Sequence, residues 1–357
     1  MKVLFVGLYP YGMAPSQKFR IDQFVPLWRE RGIDFIYSGL LTEKEYVLYR
    51  RSGQALLRSK IFVMQTFRRL KDIINAGRAD IVFVHREATF LPVPWLELMI
   101  YKRAKRVIYD IDDAIWLPQP DGLIQRHKKV PVLVRNADIV IAGNKHIKDH
   151  IIQSGWHKDV RIIPSVVDTE KYVPPDQDRN AERGVLRIGW TGSPSTFKTA
   201  FMPFVKVWRR LLKNPNIKVE FHIMGAGEYK ELFPEGIYYD YDPSQEVPFL
   251  HNVDVGIVPI PEGPWMKYKN NIKLFMYMAT GLPVVASRIG INEDVLKGGN
   301  CGFLASTADQ WYEALSRLGE DEALRQQMGM MGRQQVERKY SVKAWVDKYV
   351  ELFREAT

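Results

Sequence analysis

The sequence predicts an α/β protein made of two Rossmann-like, doubly wound halves, and three observations predict it. An apolar strand, a loop with glycine and proline, and a helix open the chain at Lys2–Gly7, Leu8–Ser16 and Gln17–Arg31. The same plan restarts at Leu186–Trp190, Thr191–Lys198 and a helix running to about Leu212. Between the two lies a polar, proline-bearing stretch, Pro174 to Arg183, which reads as a linker and hinge. A chain of 357 residues has room for two domains of ordinary size, placed here at residues 1–175 and 183–340.

Composition narrows the class further. Hydrophobic residues make up 46% of the chain, and no apolar run approaches the roughly 20 residues that span a bilayer. The N-terminus reads as a first strand and turn rather than a signal peptide. The single cysteine, Cys301, excludes an internal disulfide and a cysteine metal site. A cytoplasmic setting is expected, with contact at the inner face of the membrane open. The charge points the same way. Residues 1–175 hold 28 Lys and Arg against 18 Asp and Glu, whereas residues 176–357 hold 23 of each. The excess therefore belongs to the first half and suggests an anionic partner there: acidic lipid, a lipid-phosphate acceptor or nucleic acid. No nucleic-acid motif accompanies it, so nucleic acid is not expected.

In the first half, no GxGxxG spacing follows the first strand, so the loop is not a dinucleotide fingerprint. Gly12 would let a ligand approach the backbone, and Arg20 in the following helix could reach it; a surface turn with a solvated arginine is the alternative. Ile33–Tyr37 is the next strand. Tyr49 to Ala76 is helical by pattern, with Leu56, Leu57, Ile61, Val63, Met64, Phe67, Leu70, Ile73 and Ile74 on its apolar side and seven basic residues decorating it. That side is expected to pack on the sheet, with attachment to an anionic membrane as the other use of such a helix. Asp80–His85 is a strand that ends on His85-Arg86-Glu87, where ligands of such sheets bind. Arg106–Tyr109 leads to Asp110-Ile111-Asp112-Asp113. Oxygen ligands so close together invite a divalent metal; capping of the following turn by Asp112 or Asp113 is the other reading.

In the second half, Gly192 to Lys198 and Lys267 to Lys273 are two basic loops, each before a helix. Backbone N–H groups and lysines at two such places are what a pyrophosphate needs, since its charge is spread over several oxygens. Lys267, Lys269 and Lys273 could equally form a solvated basic turn. The helix is placed at about Asn270–Thr280, ended by Gly281, and a buried strand follows at Pro283–Ala286.

Tyr277-Met278-Ala279-Thr280-Gly281 resembles the donor-binding helix of the family 4 glycosyltransferases, which have the GT-B architecture. Val167-Asp168-Thr169 with Tyr172, Gly192 with Lys198, and Gly290-Ile291-Asn292 with Gly302-Phe303-Leu304-Ala305 extend the likeness over nearly the whole chain. The resemblance implies two Rossmann-like domains facing each other over a cleft, with residues 341–357 crossing back onto the first. It implies transfer of a sugar from a nucleotide-diphosphate donor to an acceptor hydroxyl with retained configuration, without metal or other cofactor. Lys198, Gly12, Gly192, Ser193, Lys267, Lys269, Asn271 and Lys273 become donor-binding candidates. His85 would orient the hexose, and with Lys198 it is the candidate catalytic pair. Arg20, Glu87, Asp112 and Asp113 would lie on the acceptor side, and the acceptor is expected to be a saccharide or lipid-linked. The likeness belongs to a subgroup without the usual paired glutamates, whose places are taken by Tyr268 and Met276; Ser193 stands where the loop often has arginine. Those replacements leave two alternatives, a nucleotide-sugar-binding relative without turnover and an epimerase-type protein.

Overall fold

The computed structural model describes residues 1–49, 55–118, 126–175, 184–298 and 300–357. The chain divides into two compact units: Met1–Ser165 with Trp345–Thr357, and Val166–Ala344. The boundary expected at residue 175 thus falls inside the second unit, and residues 176–183 of the expected hinge lie outside the described residues.

Unit 1 is a six-stranded parallel sheet. Its strands are β1 (Lys2–Gly7), β2 (Asp34–Gly39), β3 (Ile81–His85), β4 (Val107–Ile111), β5 (Ile139–Ala142) and β6 (Val160–Ile162), in the order β2-β1-β3-β4-β5-β6. The strand order reverses between β1 and β3, which marks the place where doubly wound sheets bind ligands. The helix expected over Gln17–Arg31 is broken into α1 (Pro15–Arg20), a 3-10 turn and α2 (Val25–Glu30), with Pro26 in the first turn of α2. The helices α3 (Glu43–Tyr49), α4 (Ala55–Ala76), α5 (Trp95–Arg103), α6 (Val130–Arg135) and α7 (Lys145–Gln153) complete the windings.

Unit 2 repeats the plan with β7 (Val185–Thr191), β8 (Lys218–Met224), β9 (Ile237–Tyr239), β10 (Val255–Val258), β11 (Val284–Ser287) and β12 (Gly302–Ala305). The order β12-β11-β10-β7-β8-β9 puts its reversal between β7 and β10. Its helices are α8 (Pro194–Thr196), α9 (Val205–Leu211), α10 (Glu246–His251), α11 (Ile272–Ala279), α12 (Ile291–Leu296), α13 (Ala308–Glu320) and α14 (Glu322–Lys339). The last helix, α15 (Val342–Glu355), belongs for most of its length to unit 1. There Tyr349 and Phe353 pack edge-on against buried Trp28.

One expectation about the packing is overturned in large part, although Ile61 of the expected apolar side is buried. α4 turns Ile61, Gln65, Arg69, Asp72 and Ala76 inward, while Val63, Phe67, Leu70 and Ile74 stand 42–63% exposed. The inward polar groups have work at the strand ends. Arg69 donates to the carbonyls of Gly7 and Ala88 at 2.7 and 2.8 Å and pairs with Asp72, which accepts from Ser38 Oγ at 2.8 Å. Gln65 accepts from the Phe90 amide at 2.9 Å. The guanidinium gives the loop carbonyl of Ala88 a donor and the Gly7 carbonyl a second one beside the Leu40 amide at 2.9 Å, which an apolar side chain could not.

Candidate functional site

Each unit carries a polar cluster at the carboxyl edge of its own sheet, next to its own reversal of strand order.

In unit 1, β3 and β4 pair with His85 beside Asp110. His85 Nδ1 lies 2.6 Å from Asp110 Oδ2. Ser16 and Arg20 stand four residues apart on α1, so one helix face presents both to this edge. Arg20 is fully buried; its guanidinium grips Asp110 and donates to the Ile163 carbonyl at 2.9 Å. Ser16 Oγ sits 2.9 Å from His85 Nε2 and 2.8 Å from Asp112 Oδ2. Arg86 pairs with Asp112 and lies 3.8 Å from Asp113. The result is one continuous string, Arg20–Asp110–His85–Ser16–Asp112–Arg86. Burial opposes the charge on both aspartates, yet Arg20 beside Asp110 and Arg86 beside Asp112 hold their carboxyls below the usual carboxylate range. Arg86 reaches its place from φ +58°, an uncommon backbone for a residue other than glycine.

Arg20 is therefore not at a ligand-facing surface: it is an internal anchor for Asp110. Glu87 is drawn away from the string, 3.5 Å from buried Lys129, which also pairs with Glu97 at 2.8 Å. Gly12 adopts φ +74°, and its amide donates to Asp22 Oδ2 at 2.7 Å. Among the described residues no group of three or more His, Cys, Asp or Glu is arranged to hold a metal.

In unit 2, β7 ends at Thr191, whose amide donates to Tyr277 Oη on α11 at 3.1 Å. That bond ties the first loop to the helix carrying Lys273. Lys273 Nζ lies 4.4 Å over the Trp190 ring. It is so close to the Gly192 backbone that a Cβ on Gly192 would come within 2.5 Å of it. No carboxylate pairs with Lys273 among the described residues, and burial, aided by Lys269, brings its ammonium down to about 7. Neighbouring loops close in on the same edge. A Cβ on Gly225 would lie 2.4 Å from the Gly192 carbonyl, and one on Gly290 would lie 2.4 Å from the Lys267 carbonyl. Asn271 Nδ2 donates to Asn292 at 2.8 Å, and Asn292 in turn to the Ser287 carbonyl at 3.0 Å.

Some expected donor residues have other occupations. Ser193 caps the short α8, its Oγ accepting from the Thr196 amide at 3.4 Å. Lys198 is exposed and rests 4.0 Å over the Tyr229 ring, and exposed Lys267 lies 4.8 Å over Tyr268.

Residues 186–321 match the family model described as Glycosyl transferases group 1. Solved structures cover the whole chain. A sucrose-phosphate synthase from Thermosynechococcus elongatus aligns over 99% of this chain and 98% of its own, with a TM-score of 0.75 at 13% identity. HepE from Anabaena, solved in complex with UDP and glucose, aligns over 99% of both chains with a TM-score of 0.71 at 15% identity.

The fold is that of the GT-B glycosyltransferases.

A curated relative, the lipopolysaccharide core biosynthesis glycosyltransferase LpsE of Rhizobium meliloti (strain 1021), is 23% identical over 290 residues, 72% of this chain and 79% of its own. Tyr268 and Met276, which were expected at the places of the paired glutamates, are both buried. Sequence reasoning passed over Ser16, Trp190 and Tyr229, and weighed Asp110 only as part of a possible metal group. The four-residue spacing of Ser16 and Arg20 could have drawn attention to Ser16. The partnership of Asp110 with His85 needs the strand register, and the two aromatic seats have no local signal.

Proposed function

We propose that this protein transfers a sugar from a nucleotide-diphosphate donor to an acceptor hydroxyl, with retention of anomeric configuration, in the assembly of a cell-surface polysaccharide or glycoconjugate. One observation carries the reading. In a domain matched as Glycosyl transferases group 1, Lys273, which has no carboxylate partner among the described residues, lies against the Gly192 backbone beside the β7–β10 reversal. The names of LpsE and HepE support the substrate class: one acts in lipopolysaccharide core synthesis, the other was solved with UDP and glucose.

The donor diphosphate is held in unit 2. Lys273 sits at the Gly192 loop, and Lys267, Lys269 and Lys198 add charge from nearby loops, with Asn271 holding the α11 start. As the glycosidic bond breaks, negative charge grows on the departing nucleoside diphosphate, and cations already in place stabilise it more than they stabilise the bound donor. Those cations supply the charge that a divalent metal would otherwise bring, so turnover persists in EDTA. In unit 1, His85 is fixed between Asp110 and Ser16 and acts on the sugar, while Asp112 and Asp113 serve the acceptor hydroxyls, which belong to a saccharide or lipid-linked saccharide.

The test is a panel of UDP- and GDP-sugars in thermal-shift format, because a ligand of the folded state raises its melting temperature. One or more donors stabilise the wild type, and Lys273→Ala loses most of the shift. Undiminished shifts in Lys273→Ala and Lys198→Ala would overturn the diphosphate assignment. The buried Tyr268 and Met276 favour a second reading, donor binding without transfer. It predicts the same shifts but no glycosylated product from any lipid-linked or soluble saccharide acceptor, and an epimerase would convert the donor alone.

A further inference from the structure

α4 turns a polar stripe inward, and among the described residues of unit 1 nothing covers its outer face. Val63, Phe67, Leu70 and Ile74 recur at four- and three-residue steps, so they form one stripe within about 60° of helix surface. All four are 42–63% exposed, while the opposite stripe buries Gln65, Arg69 and Asp72. A solvated helix ordinarily has the reverse arrangement. The adjoining α5 adds Trp95 and Met99, exposed at 71% and 50%. Exposed apolar side chains gathered on neighbouring helices mark an interaction surface.

The charge around the stripe says what covers it. Lys60, Lys71 and Arg78, all exposed, follow one side of the stripe, and Lys102 and Arg103 end α5. None of Lys60, Lys71 and Arg78 has an ion-pair partner among the described residues. The one acidic residue of α4, Asp72, is buried against Arg69. A second copy docking through the same face would therefore bring no complementary charge to it. An anionic lipid bilayer offers both chemistries at once, acyl chains for the stripe and phosphates for the cationic row.

We propose that the outer face of α4, with the exposed end of α5, docks unit 1 on an anionic lipid surface. The apolar stripe enters the boundary between headgroups and acyl chains, Trp95 sits at the same level, and the lysines and arginines meet lipid phosphates. This depends on the surface alone and holds whether or not the donor assignment is right.

The experiment is vesicle flotation of the full chain with phosphatidylglycerol–phosphatidylethanolamine vesicles and with pure phosphatidylcholine vesicles. Wild type floats with the anionic vesicles, weakly with phosphatidylcholine, and less as salt is raised. The combined variant Val63→Ser, Phe67→Ser, Leu70→Ser, Ile74→Ser loses roughly tenfold or more in partitioning, since four apolar side chains no longer enter the acyl region. Lys60→Gln with Lys71→Gln loses the preference for anionic vesicles. Because the changed side chains are exposed, the melting temperature and UDP-sugar shift of both variants stay at the wild-type values. Equal flotation of the serine variant and wild type would overturn the proposal, as would absence of flotation with any vesicle. A concentration-dependent dimer in sedimentation, abolished by Phe67→Glu and indifferent to lipid, would reassign the face to self-association.

Discussion

At the scale of single residues, the chemistry is set by which charges have partners. Arg20, Arg69 and Arg86 each have an aspartate, and their energies belong to the fold. Lys273 has an aromatic ring and a glycine backbone instead. Burial disfavours its ammonium and Lys269 repels it, bringing its value to about 7. The sign for stability follows: the buried charge costs stability below about pH 7, and the cost fades as pH rises from there toward the ordinary lysine range. Binding of an anion reverses the preference and restores the proton. UDP binding at pH 7 is therefore expected to take up a substantial fraction of a proton, and affinity to fall as pH rises above 7, by at most about tenfold per pH unit. Calorimetry in two buffers of different ionisation enthalpy measures the uptake. Proton uptake by Lys273→Gln equal to that of the wild type would show that another group takes the proton.

At the scale of elements, glycines let the loops of unit 2 crowd one edge of the sheet. Gly290 has φ +54°, and a side chain there would meet the Lys267 carbonyl. Gly290→Ala must move the basic loop or the start of α12. We expect a loss of about 1–3 kcal/mol in stability, with weaker UDP binding, by denaturant unfolding and titration. Gly298 faces open space, so Gly298→Ala serves as the control and leaves UDP affinity unchanged. Much of this element plan was legible beforehand. The strands from Lys2 to Gly7 and at β3, β7 and β11 stand where apolar runs placed them. α11 falls within the expected Asn270–Thr280, because Gly281 at φ +72° ends it as anticipated. α4 was legible as a helix but not in its orientation. Its pattern holds an apolar stripe and a polar stripe, and periodicity cannot say which one the sheet edge needs.

For the whole molecule, the two ends of the chain meet in unit 1. α15 covers Trp28, Phe24 and Phe83 with Tyr349 and Phe353, and Tyr349 Oη donates to the Arg20 carbonyl at 3.3 Å. Truncation after Ala344 would uncover those rings and loosen the helix carrying Ser16 and Arg20. We expect the truncated chain to lose cooperative unfolding of unit 1 and to expose apolar surface, read by calorimetry and dye binding. A single sharp transition at the wild-type temperature would refute this.

The sequence by itself determined the α/β class, the doubled strand–loop–helix plan and the basic loops of the second half, because each is written in neighbouring residues. Only the tertiary structure decided which charges are spent inside the fold. Arg20 looked like a ligand-facing cation until the Asp110 carboxylate was found against it; Lys273 was one lysine of three until its lack of a carboxylate partner set it apart. The physical reason is distance: a side chain's charge is governed by what lies within a few ångströms, and those neighbours come from strands and helices far apart in the chain.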